Sequence, residues 1–179
     1  MNDAFDVTKN GPGLWTAILD DVKDYLSTYY GEADAIIAGG AVRDFLLDEA
    51  PKDIDVFISQ PENFDPDGFG WDWGAAKNYE TYDDGFHVFD YIHYSEDDLT
   101  CSFDVQFIFV PNAMEHLNTF DLSTSYVYYD GSKIYTFEPF DYTLDTAELL
   151  VINEGPKTNE RMVRLLQKYP GLTVKEAAA

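Results

Sequence analysis

Gly39-Gly40-Ala41-Val42-Arg43-Asp44, followed after a short connection by Asp53-Ile54-Asp55-Val56-Phe57, decides how this sequence is read. The residues before it, Ala33 to Ala38, make a short strand; Gly39-Gly40 is a turn, and Val42 to Asp48 a short helix. Pro51 ends the connection, and Ile54 to Ile58 alternates with β-branched residues as a second strand. Side chains two apart on a strand face the same way, so Asp53 and Asp55 project from one face. Two carboxylates on one face suit a hard divalent cation, and Mg²⁺ is typically held by one or two carboxylates together with substrate phosphates. A Gly-Gly turn lets backbone N–H groups approach a phosphate, and Arg43 adds a fork of donors matched to phosphate oxygens. Taken singly these are a turn, a solvated edge and a local Arg43-Asp44 pair. In this order and spacing they describe a nucleoside triphosphate site.

Outward from that stretch, Leu14, Ile18, Leu19, Val22, Tyr25, Leu26 and Tyr29 fall at helical 3,4 spacing, and Gly31 marks the stop of an amphipathic helix over 14–30. Residues 60–85 mix Pro and Gly with Phe64, Phe69, Trp71, Trp73, Tyr79 and Tyr82, which reads as a long irregular, acidic and aromatic insertion. Its rings either cover the sheet or stack a base; covering is the favoured reading. Phe86 to Tyr94 and Ser102 to Val110 read as strands joined by a hairpin around Ser95 to Leu99. Asn112 caps a short helix through Asn118, and Ser123 to Tyr129 and Lys133 to Phe137 flank the hairpin signal Asp130-Gly131. A C-terminal helix over about 157–169 ends at Pro170-Gly171. The expectation is an α+β fold, a small mixed or antiparallel sheet flanked by helices, with residues 1–179 forming a single domain.

The chain carries 34 acidic against 11 basic residues in 179, a net charge of −23, yet is 45% apolar and 16% aromatic. A disordered acidic tail is poor in aromatics, so this composition specifies a packed core. The lone Cys101 excludes a disulfide framework, and His87, His93 and His116 show no zinc spacing. No apolar run approaches the roughly 18 residues of a membrane span, and the polar start, Met1 to Asn10, lacks a secretory leader; a soluble, cytoplasmic protein without a membrane partner is expected. So few basic residues exclude a long basic groove for nucleic acid while leaving room for a small basic pocket. The opposite reading is an acidic surface that imitates nucleic acid or docks on a basic protein.

Residues 35–58 resemble the nucleotidyltransferase superfamily typified by DNA polymerase β, in which a Gly-Gly or Gly-Ser turn precedes an acidic strand by about a dozen residues; here Ala41 to Lys52 make 12. They are most similar to the head domain of bacterial-type CCA-adding enzymes and poly(A) polymerases, whose signature reads Gly-Gly-x-Val-Arg-Asp-x-Leu-Leu, then Asp-Ile-Asp. This chain has Gly39-Gly40-Ala41-Val42-Arg43-Asp44-Phe45-Leu46-Leu47, then Asp53-Ile54-Asp55. A weaker likeness continues in Phe120-Asp121, Asp130-Gly131, Glu138-Pro139-Phe140, Arg161 and Arg164. The family's nucleotide-contacting Arg-Arg-Asp appears only as Thr119-Phe120-Asp121, and the neck, body and tail domains are not expected in this chain.

The resemblance implies a polymerase β-like fold and Mg²⁺- or Mn²⁺-dependent transfer of NMP from an NTP such as ATP to an acceptor hydroxyl. That acceptor is an RNA or tRNA 3′ end, a protein or a small molecule. Stand-alone forms of the superfamily act in toxin–antitoxin systems, and similar single-domain forms occur in phage genomes. The resemblance also implies a third carboxylate on a neighbouring strand, for which Asp104 in Phe103-Asp104-Val105 fits and Asp90 in Phe89-Asp90-Tyr91 is a rival. The implied catalytic and metal-binding residues are Asp53, Asp55 and Asp104; the nucleotide-binding ones are Gly39, Gly40, Arg43, Arg161 and Arg164, with Lys168 on the same late helix face and Asp44 orienting Arg43. The alternative from the composition is a catalytically inactive acidic protein that keeps the fold and engages a basic partner.

Overall fold

The computed structural model describes residues 10–70, 78–81, 86–94 and 102–175. The expected hairpin turn at Ser95 to Leu99, Cys101, Trp71, Trp73 and Tyr82 lie outside them. Helix α1 (Pro12–Tyr29) starts on a proline and buries Leu14, Ile18, Leu19, Val22 and Leu26 of the expected stripe together with Trp15, while Tyr25 is half-buried and Tyr29 exposed. Gly31 stops it at φ 100°, its N–H donating to the Leu26 carbonyl at 2.9 Å. Strand β1 (Ala35–Ala38), helix α2 (Gly40–Leu46) and strand β2 (Asp53–Ser59) follow. Then come β3 (Asn78–Thr81), β4 (His87–Tyr94), β5 (Ser102–Val110) and α3 (Ala113–His116), with the Asn112 side chain accepting the Glu115 N–H at 2.9 Å as the cap. The chain continues through β6 (Val127–Tyr129), β7 (Ile134–Thr136), α4 (Glu138–Thr146), β8 (Glu148–Leu149), α5 (Thr158–Lys168) and β9 (Thr173–Val174).

The α+β architecture matches the expectation: a seven-stranded sheet of order β3-β4-β5-β2-β1-β6-β7, antiparallel except for the parallel pair β2–β5. One face packs Ile37, Ile54, Val56, Ile58, Phe107 and Phe109 into the core that holds α1. The other face packs Ile36, Ala38 and Phe57 with Ala113 and Leu117. A small third cluster, Leu122, Leu149 and Leu165, seats α5.

Three sequence readings change. Residues 78–81, expected to be irregular, form β3, because the open edge of β4 offers backbone partners to the β-prone Tyr79-Glu80-Thr81. Around it, Phe64 stacks on Phe109 with centroids 4.0 Å apart and Phe69 lies 4.6 Å from Phe89, so these two rings cover the sheet. Ser123–Ser125 is a 3-10 turn rather than the start of a strand: Ser123 Oγ bonds Thr143 Oγ1 at 2.7 Å and accepts the Leu150 N–H at 2.9 Å, tying the segment to α4. Helix α4 itself was not anticipated, since only Phe140 and Thr143 are buried and no apolar stripe marks it.

Candidate active site

β1 runs out at Ala38, and Gly39 turns the chain at φ 72°, ψ −124°, a conformation that L side chains avoid. Its N–H donates to the Val127 carbonyl of β6 at 3.0 Å. The N–H groups of Gly40, Ala41 and Val42, in the first turn of α2, have no intrahelical acceptor, the first such bond running from the Arg43 N–H to the Gly39 carbonyl at 3.0 Å. Beside this turn β2 presents Asp53, Asp55 and Phe57 on one face, while Ile54, Val56 and Ile58 enter the core.

A cleft of about 650 Å³ opens here. Its lining brings together Gly39, Gly40, Arg43, Asp53, Asp55, Arg161 and Arg164, residues drawn from α2, β2 and α5. Asp104 departs from that set. It pairs in register with Asp53 across β2–β5, but it is exposed at the open start of β5 and is not among the lining residues. Gln106, in register with Asp55, lines the cleft instead, and Asp90 of β4 pairs with Gln106 one strand further out.

Asp55 is the strained charge. Burial pushes its carboxyl up to about 7, the neighbouring Asp53 charge adds to this, Arg161 and Lys52 work against it, and Asp90 reinforces it. A carboxylate held beside another in a partly desolvated cleft is a donor that a cation would relieve. Among the described residues no three His, Cys, Asp or Glu side chains gather to hold an ion by themselves. The Asp53–Asp55 pair still fits Mg²⁺ or Mn²⁺ if substrate phosphates complete the ligand set.

The cleft is also basic, and Lys52 Nζ lies 3.5 Å from Asp53 Oδ2. Arg43, Arg161 and Arg164, all the arginines of the chain, line the cleft together with Lys52 and Lys168. Two of the arginines sit on carboxylates. Arg43 Nε and Nη2 lie 2.6 and 2.5 Å from Asp44 Oδ1. Arg161 Nη1 is 3.1 Å from Asp121 Oδ2, which also accepts the Thr158 hydroxyl at 3.1 Å. Arg164 makes no ion pair among the described residues. Buried Asp44 further accepts Lys168 Nζ at 2.6 Å and the Tyr169 hydroxyl at 2.6 Å. Burial and the Asp44 hydrogen bond push Tyr169 up to about 12, so it stays a proton donor. An aromatic side made of Phe57, Phe86, His116 and Phe120 completes the cleft. Gln106, Lys52 and Tyr169 had no sequence signal; Asp121 did, as the acid of the incomplete Arg-Arg-Asp pattern.

No helix among the described residues is long and apolar enough to cross a membrane. No curated protein matches the chain. In structure it is similar to a CCA-adding enzyme in complex with ATP, at 14% identity and a TM-score of 0.58 over 91% of this chain and 39% of that one. It is similar to the Thermotoga maritima CCA-adding enzyme complexed with tRNA, at 13% identity and 0.58 over 90% and 38%. The Bacillus stearothermophilus CCA-adding enzyme in complex with CTP gives 19% and 0.54 over 87% and 37%. The chain thus spans less than two fifths to about two fifths of these enzymes, and the likeness is one of nucleotidyltransferase fold. Residues 15–145 match the family described as Gabija anti-defense 2 family protein, and with most of its length matched the chain belongs to that family.

Proposed function

We propose that this protein is a Mg²⁺- or Mn²⁺-dependent nucleotidyltransferase that moves NMP from an NTP to an acceptor hydroxyl, and that it serves an anti-defense role through that modification. The observation that carries the reading is the pairing of Asp53 and Asp55 on one strand face, in a cleft that gathers every arginine of a chain with net charge −23. Asp53 and Asp55 would hold the cation, which supplies a lowered pKa for the attacking hydroxyl and charge neutralisation on the phosphates. Arg43, Arg161, Arg164 and Lys168 bind and orient the triphosphate, with the Gly40 and Ala41 N–H groups at its side. The acceptor oxygen bonds to the α-phosphorus, the bond from that phosphorus to the bridging oxygen of the β-phosphate breaks, pyrophosphate leaves, and the hydroxyl proton passes to solvent or to a carboxylate. The basic wall stabilises the departing pyrophosphate. The acceptor class is an RNA or tRNA 3′ end, a protein or a small molecule, and the setting is the cytoplasm of a host cell.

A second reading is favoured by one observation, the −23 charge: an inactive protein that keeps the fold and binds a basic partner through its acidic surface. Incubation with NTPs labelled on the α-phosphate, Mg²⁺, and RNA and protein extracts separates the two. Transfer of label by the wild type, lost in Asp53→Ala and Asp55→Ala, is the expected result. No Mg²⁺-dependent NTP binding together with salt-sensitive capture of a basic protein supports the second reading.

A further inference from the structure

We propose that Asp44 and Tyr169 are positioning residues that hold Arg43 and Lys168 as a preset pair for the phosphate chain of the substrate, an inference that rests on reading the cleft as a polyphosphate site. Asp44 lies beside Arg43 in α2, whereas Lys168 and Tyr169 come from the far end of the sequence, at the end of α5. One buried carboxylate collects all three: Arg43 and the Tyr169 hydroxyl on Oδ1, Lys168 on Oδ2, each within 2.6 Å. Two cations drawn onto one carboxylate repel each other once it is neutralised. The Tyr169 ring supports both, with Arg43 Cζ 5.8 Å and Lys168 Nζ 5.7 Å from its centroid. Lys168 Nζ also donates to the Ala50 carbonyl at 3.0 Å. A lysine that only solvates a helix face is not held at three points, and both cations line the cleft. A long anion reaching Arg43 and Lys168 together then meets charges already ordered, so little side-chain entropy is lost on binding.

The test exploits a difference of sign. Asp44→Asn removes a negative charge from the cleft, so unspecific electrostatics makes an anion bind more tightly; loss of positioning makes it bind more weakly. Calorimetric titration of the full chain with tripolyphosphate at low salt should show affinity falling about tenfold in Asp44→Asn and about threefold in the charge-neutral Tyr169→Phe. Far-UV circular dichroism and a cooperative melt establish that each variant is folded. Equal or tighter tripolyphosphate binding by folded Asp44→Asn overturns the proposal. If Asp44→Asn does not fold, unchanged affinity in Tyr169→Phe overturns it. Failure of the wild type itself to bind tripolyphosphate overturns instead the reading of the cleft, and the proposal with it.

Discussion

Asp55 and Gln106 are direct neighbours on the parallel strands β2 and β5, so an amide stands beside the acid whose ionisation is pushed up to about 7. A carboxylate there would crowd Asp55 further when no cation is bound and would give a bound cation a third anionic ligand. Gln106→Glu is therefore expected to tighten Mn²⁺ binding by about tenfold, read by calorimetry, and to lower the melting temperature at pH 8 without metal. Unchanged metal affinity in this variant would mean that the cation is not held between β2 and β5.

Asp55 sets a pH dependence whose sign is fixed. Its carboxyl ordinarily titrates at 3.8 and in the fold at about 7, so between these values the folded chain binds more protons than the unfolded one. This group's contribution to stability is thus greatest below about pH 4 and falls as the pH rises toward 7. The wild-type melting temperature should decline over that window more than that of Asp55→Asn. Mg²⁺ at pH 8 should raise the wild-type value and leave Asp55→Asn unmoved. Scanning calorimetry across pH decides it, and parallel curves for the two proteins count against the assignment.

Gly39 occupies φ 72°, ψ −124°, where any Cβ is strained, although the nearest side chain, Phe120, leaves 3.9 Å of room. Gly39→Ala should destabilise by about 1–3 kcal/mol in urea unfolding, from backbone strain alone. Gly171→Ala, which meets nothing within 4 Å, is the control and should change stability by no more than about 0.5 kcal/mol.

Arg161 and Arg164 are neighbours on α5 with different duties. Arg161 is paired with the buried Asp121, and Arg164 has no ion pair among the described residues. Arg164→Ala should weaken NTP binding by about tenfold while leaving the melting temperature in place. Arg161→Ala should weaken binding and also lower the melting temperature, because Asp121 loses a charge partner. Equal melting shifts in both variants would contradict this division.

The sequence disclosed the part of the molecule where local chemistry and spacing coincide. Gly39-Gly40, Arg43 and Asp53-Ile54-Asp55 sit on consecutive elements, so their order alone placed them around one turn. α1 was legible because its apolar residues follow a helical period, and Ser102–Val110 because β-branched and aromatic residues recur in it, with Val105, Phe107 and Phe109 on the core face. Asp104 drew notice because an acid in an apolar strand looks costly; it sits exposed beside Asp53 across β2–β5, where that cost does not arise. The partnership of Asp44 with Lys168 and Tyr169, over 124 and 125 residues, leaves no periodic or local trace. Gln106 owes its place beside Asp55 to the parallel register of β2 and β5, which pairing across a long connection sets and a single strand does not reveal.

The central claim is that Asp53 and Asp55 hold a cation for an NTP in this cleft. Calorimetric titration of the wild type and of Asp55→Asn with ATP, CTP, GTP and UTP, with Mg²⁺ and with EDTA, tests it most directly. The account predicts binding of at least one nucleotide by the wild type that requires Mg²⁺ and falls at least tenfold in Asp55→Asn. Nucleotide binding indifferent to Mg²⁺ and to the substitution, or no binding at all, would contradict it.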